Sequence, residues 1–111
     1  MKVTKAGQGK PYEAAKHFNC WGAQYVGPDD GAKSLVVNVS HFLPNGGAEM
    51  SAGNVERAYY VLEGSIKVRG REEEYDMEPG DVVFIGPGEE REISINGQDP
   101  AKLLVVISKV Q

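Results

Sequence analysis

Apolar and polar residues alternate along this chain in short runs, and clusters of turn residues separate the runs. From Lys33 to Leu43 the sequence KSLVVNVSHFL predicts a strand. Leu35, Val37 and Val39 share one face, which His41 and Leu43 continue, while Asn38 and Ser40 fall on the other. His17 to Val26 is rich in aromatic and β-branched residues and also suits a strand. Gly27-Pro28-Asp29-Asp30-Gly31 separates the two as a turn. After a break at Pro44-Asn45-Gly46-Gly47, Glu56 to Leu62 is extended. Glu63-Gly64-Ser65 then turns it into Ile66 to Arg69, which reads as a hairpin. Arg71 to Met77 is charged and begins as a solvated loop. Three further strands follow at Val82 to Ile85, Glu92 to Asn96 and Lys102 to Val110. No stretch after residue 16 carries a helical period, and recurring short strands of this kind predict a sandwich or barrel.

The first 16 residues or so are polar and contain glycine, so they predict an arm with one short turn around Tyr12 to Lys16. The whole chain, 1–111, is one domain by length, and 41% of its residues are hydrophobic. Its net charge is -4 and no basic block stands out, which argues against nucleic acid as a partner. No apolar run approaches the ~20 residues of a membrane helix, and the first residues lack the apolar core of a signal peptide. Cys20 is the single cysteine, which excludes an intrachain disulfide. A cytoplasmic location is the expectation.

Two stretches carry most of the information. The first is Pro44 to Gly64, PNGGAEMSAGNVERAYYVLEG, and the second is Pro79 to Gly88, PGDVVFIGPG. Their order and spacing resemble the two motifs of the cupin barrels, over roughly Leu35 to Ile107. The resemblance implies an all-β fold, a cupin-type barrel or jelly roll of two facing antiparallel sheets, with the arm in front of it. In the first motif the family places a Gly, five residues, His-x-His, a short spacer, Glu, six residues and Gly. Aligned here, the first Gly falls on Asn45, the His pair on Ser51 and Gly53, the Glu on Arg57 and the last Gly on Gly64. A longer spacer moves the His pair to Met50 and Ala52. In the second motif Gly80 and Gly88 fit, Gly86 replaces a Pro, the His position is Arg91 and the Asn position is Ile95, one short of Asn96.

In the family these His and Glu positions hold a divalent metal. Serine and glycine cannot stand in for two imidazoles, and a guanidinium has no lone pair and stays charged. The expectation is therefore no metal and no cofactor, with a small anionic or polar metabolite bound instead; whether the protein is an enzyme is left open. Arg57, Arg91, Ser51, Tyr59 and His41 are the expected ligand-binding residues. His41 and Tyr59 are the catalytic candidates, His41 because it shares the parity of Val37 and Val39 and titrates near neutral pH. Glu49, Glu56, Glu89, Glu90 and Glu92 are the nearest carboxylates that could pair with the two arginines.

Two alternatives stand beside this reading. One is a metal-dependent isomerase, lyase or dioxygenase that holds a divalent transition metal by recruiting His41, Glu49, Glu56 or His17. The other is a non-catalytic module whose pocket is closed by internal salt bridges. Cys20 and Trp21 are expected at the pocket or at an interface. By the same resemblance a homodimer is expected, with the arm and the strand around Cys20-Trp21 as its contact.

Overall fold

The computed structural model describes residues 1–109. Its nine strands are β1 (Lys10–Tyr12), β2 (His17–Val26), β3 (Leu35–Ser51), β4 (Glu56–Glu63), β5 (Ile66–Arg69), β6 (Glu74–Met77), β7 (Val82–Ile85), β8 (Arg91–Ile95) and β9 (Ala101–Ser108). A single 3₁₀ turn at Pro28–Asp30 occupies the expected Gly/Pro/Asp turn. Val110, the predicted end of the last strand, lies outside the described residues. The strands form one curled antiparallel sheet in the order β6-β5-β8-β3-β9-β4-β7, with β2 on β3 and β1 on β2. The sheet closes almost into a barrel, and its two free ends, β6 and β7, face each other across a seam.

The bend that makes two facing sheets lies in β3. Leu35 to Phe42 pairs with β9, whereas Gly47 to Ser51 pairs with β8. The break expected at Pro44-Asn45-Gly46-Gly47 is thus a bent continuation of the strand. Asn45 takes a left-handed conformation there, with φ of 66°. A Cβ at Gly47 would collide with the Ile93 carbonyl of β8, so the close approach of the two strands depends on glycine. Asparagine tolerates the left-handed region and a β-branched residue does not. Asn45→Val is therefore expected to lower stability by ~1–2 kcal/mol, with Asn45→Gly close to neutral; urea denaturation midpoints check both.

The predicted hairpin of β4 and β5 does not form. β4 pairs with β7 and β9, and β5 pairs with β6 and β8. Gly64, at φ of 75°, instead carries the chain from one side of the barrel to the other. The turn was legible, but the partner of each strand is set by long-range packing. β6 was hidden by its charge: EYDM buries only Met77.

The core is a single cluster that includes Phe42, Tyr59, Val61, Ile66, Val68, Ile85, Ile93 and Leu103. Phe42, Ile66, Leu103 and Val61 are its largest fully buried side chains. In β3 the inward face is Val36, Asn38, Ser40 and Phe42, all buried. This is the parity opposite to that of Val37, Val39 and His41. The outward face carries Leu35, and on neighbouring strands Trp21, Tyr60, Val82 and Phe84 are exposed.

Candidate functional site

β3, β4, β8 and β9 send alternate side chains into the barrel, and the arm folds back over its end. β1 pairs with β2 at Gly22 to Gln24. Lys16, at φ of 60°, then reverses the chain into β2, and its carbonyl accepts from the Glu49 backbone N–H at 2.9 Å. The cavity that results is partly open to solvent and has a volume of about 290 Å³. Arg57, Arg91, Ser51 and Tyr59 line it, with Tyr12, Lys16 and His17 from the arm side and Asn38 and Ser40 from β3. Phe42, Ile93, Leu103, Val105 and Ile107 supply its apolar wall. None of the described residues lining it is a carboxylate.

Arg91 is buried at 7% exposure. Its Nε donates to the Tyr59 hydroxyl at 2.9 Å, and its Nη1 donates to both the carbonyl and the hydroxyl of Ser51 at 2.7 Å. Arg57 lies across Gly53: a Cβ built there would fall 2.5 Å from Nη1 and 2.7 Å from Nη2. The four replaced positions therefore meet as two pairs. Serine fastens one guanidinium, and glycine leaves the room that the other fills.

Nη1 of Arg57 is buried without a hydrogen-bond partner, and so is Oδ1 of Asn38. Burial lowers the Arg57 pKa from its ordinary value and the neighbouring Arg91 charge lowers it further, with Tyr59 acting against both. Among the described residues no ion pair joins Arg57 or Arg91 to a carboxylate. Glu92 and Glu90 point the other way along β8 and its approach, and pair with Arg69 and Arg71. Glu89 accepts from the Gly86 N–H, and Glu49 is exposed.

His17 is half-buried. Its Nδ1 lies 2.7 Å from the Ala15 carbonyl and its ring lies 6.1 Å from that of Phe42. Burial lowers its pKa, the Ala15 bond acts against that, and the charges of Arg91 and Arg57 lower it further. The Tyr12 phenol sits against Ser40 and Asn38. Burial raises its pKa, while hydrogen bonding from those two side chains acts against the rise.

His41 does not reach this cavity. It lies on the outer face, stacked on Trp21 with ring centroids 3.8 Å apart and planes within 3°. Its assignment to the pocket fails because the polar stripe of β3, not the apolar one, faces inward. A barrel that encloses polar groups can hide Asn38 and Ser40, while Val37 and Val39 lie on an outer face that other strands partly shield. The sequence reading missed Tyr12, Asn38 and Ser40 and undervalued His17. Two polar residues alternating between Val36 and Phe42 were the available signal. Cys20 packs against the core, and burial pushes its thiol pKa up to about 11, which keeps it protonated and inert.

The residues at the family's metal positions do not fit a metal. Guanidinium nitrogens offer no lone pair, and the Ser51 hydroxyl oxygen already accepts from Arg91. The alternative donors do not converge either: His17 lines the cavity, whereas His41, Glu49 and Glu56 do not. Among the described residues no three His, Cys, Asp or Glu side chains group as a metal site would require. A larger groove, about 530 Å³, follows the seam between β6 and β7. Glu73, Asp76, Asp81, Glu89 and Glu90 line it together with Arg91, so its charge is mainly negative.

Residues 38–107 match the family described as Cupin domain. No curated protein matches the sequence. Among solved structures, a polyketide cyclase from Streptomyces resistomycificus superposes with a TM-score of 0.87 at 23% identity, over 99% of this chain and 80% of its own. A predicted oxalate decarboxylase from Thermotoga maritima gives 0.82 at 17% identity, over 99% and 100%. An RmlC-like protein from Shewanella frigidimarina gives 0.82 at 14%, over 100% and 93%. These likenesses establish the fold.

Proposed function

The chain belongs to the cupin domain family, and from that premise we propose that it binds a small organic anion in a cavity where guanidinium groups stand in place of metal ligands. The observation that carries this is the buried, unpartnered Nη1 of Arg57 beside Arg91, which three hydrogen bonds hold in place. A buried guanidinium without a counter-charge costs several kcal/mol. Among the described residues no carboxylate lines the cavity, so a carboxylate, enolate or phosphate guest is the group that relieves them. Arg91 is held by three hydrogen bonds and acts as the fixed post. Arg57 has donors to spare and acts as the contact. The apolar wall of Phe42, Ile93, Leu103 and Val105 suits a guest with a hydrocarbon body.

A closed structural plug is the weaker reading: Glu90 and Glu92 pair elsewhere, Glu49 and Glu89 are exposed, and Glu56 does not line the cavity.

A thermal-shift panel of carboxylates and sugar acids tests the proposal. A bound acid at 100 times its dissociation constant adds about 2.7 kcal/mol to the wild type, and Arg57→Met loses that increment. If no acid stabilises the wild type more than it stabilises Arg57→Met, the anion reading falls.

A further inference from the structure

The cavity holds more than an anion binder needs. His17 lines it with a defined tautomer: Nδ1–H donates to the Ala15 carbonyl, which leaves Nε2 with its lone pair. The Tyr59 hydroxyl accepts from Arg91, and among the described residues its own proton has no acceptor. The unpartnered Arg57 donor completes a set of base, acid and anion holder around one space.

Resting on the anion reading, we infer that the cavity catalyses proton transfer at a carbon next to a carbonyl, in a hydroxylated 2-oxo acid or β-dicarbonyl acid, with His17 as base and Tyr59 as acid.

The step balances without any co-reactant. His17 Nε2 takes a proton from the carbon beside the carbonyl, and the C–H electron pair becomes the new C=C bond. The former carbonyl π pair moves onto oxygen, and Arg57 holds that enolate. Tyr59 delivers its proton to the oxygen, giving the enol. The proton on His17 then returns to the tyrosinate through solvent, which restores both residues. Run backwards after the His17 proton has traded with solvent, the same set returns a proton to the carbon from the same face and so exchanges the hydrogen there.

Asn38 selects the far end of the guest. Asn38, Val105 and Tyr59 lie in one row across β3, β9 and β4, so Asn38 and Tyr59 project into the cavity from the same wall, two strand spacings or about 10 Å apart. Its unpartnered Oδ1 is an acceptor that asks for a donor on the guest, such as a hydroxyl. The guest therefore carries acid and carbonyl at one end, an apolar middle and a hydroxyl at the other.

Charge around His17 favours its working form. The groups facing it are Arg57 and Tyr59 from β4, Arg91 from β8, Tyr12 from β1 and Lys16 from its own turn, with no carboxylate among the described residues that line the space. Burial and the two arginines keep the imidazole neutral to below its ordinary 6.5.

The probe is 4-hydroxyphenylpyruvate in D₂O, with deuterium uptake at its methylene carbon followed by proton NMR against a buffer blank. Binding is read separately by thermal shift. We expect uptake proportional to protein concentration and rising with pH through a midpoint below 6.5. His17→Gln is expected to slow it by about 100-fold or more while the thermal shift persists. Phenylpyruvate, which lacks the hydroxyl, is expected to bind several-fold more weakly.

Binding without uptake above the blank overturns the catalytic inference and leaves the anion reading intact. Uptake unchanged in a folded His17→Gln protein overturns the base assignment; if that variant does not fold, a wild-type rate flat between pH 5 and 8 does the same. Absence of any binding by the wild type overturns both readings.

Discussion

Arg57→Met is expected to make the ligand-free protein more stable and to weaken anion binding about 100-fold. Methionine keeps much of the length and can still lie over Gly53, but it brings no charge next to Arg91. Two costs disappear with the guanidinium: the desolvation of its Nη1 and the repulsion between two cations. Because Arg57 is only partly buried, solvent screens some of that repulsion, and a net gain of about 1 kcal/mol is the expectation. For a chain of this size that is roughly 4 °C in Tm. Loss of the anion contact works the other way. A charge-assisted bond in a desolvated site is worth ~3 kcal/mol, or about 100-fold in affinity. The matched experiment compares Tm with and without a stabilising acid in both proteins. A ligand-free Met variant that melts below the wild type would mean that the guanidinium is already satisfied, and the cavity would then have no reason to recruit an anion.

Arg91 is the contrasting case. Its Nε and Nη1 make three hydrogen bonds that tie β3, β4 and β8 together. The two arginines therefore differ in what they touch. One ties the strands, and the other keeps a buried donor without a partner, which the proposed guest would take. Sites that keep an unsatisfied group lose stability for function, and the opposite signs expected at 57 and 91 express that division.

Much of this fold was legible because its punctuation is local. YYVLEG and PGDVVF each announce a strand and a turn from adjacent residues, and β4, β7 and the Gly64 and Gly80 turns stand where those stretches put them. The meeting of Ser51 with Arg91 and of Gly53 with Arg57 could be anticipated only through family spacing. Nothing in a lone arginine says that it is buried. What stayed hidden depends on direction and distance. The faces of β3 were misassigned because both carry apolar residues, and the rule that polar residues face water fails in a barrel with a polar interior. The β4–β5 hairpin was misassigned because strand partners are chosen by packing far along the chain. The place of His17 rests on a reversal at Lys16 and an irregularity at Asn19, both left-handed residues with no glycine to signal them.

Phe42→Ala is expected to carry the largest stability cost of any substitution considered. Phe42 is 1% exposed and opposes Cys20 on β2 and Ala101 on β9. Truncating a fully buried phenylalanine costs about 3–5 kcal/mol through lost transfer energy and the void left behind. Against a total of ~5–15 kcal/mol for a domain, that is enough to shift the urea midpoint by a large fraction. The position of the ring argues for the lower half of that range. Phe42 borders the cavity, so the vacated space joins it, and Ser40 and His17 can hydrogen-bond to water that enters. The same entry of water loosens the ring that His17 packs against and weakens the fixed direction of its Nε2. Phe42→Leu keeps most of the volume, and is expected to cost less than half as much and to leave deuterium uptake near the wild-type rate. If Phe42→Ala unfolds at the wild-type urea concentration, the ring does not close the barrel interior, and the cavity described around it does not have that wall.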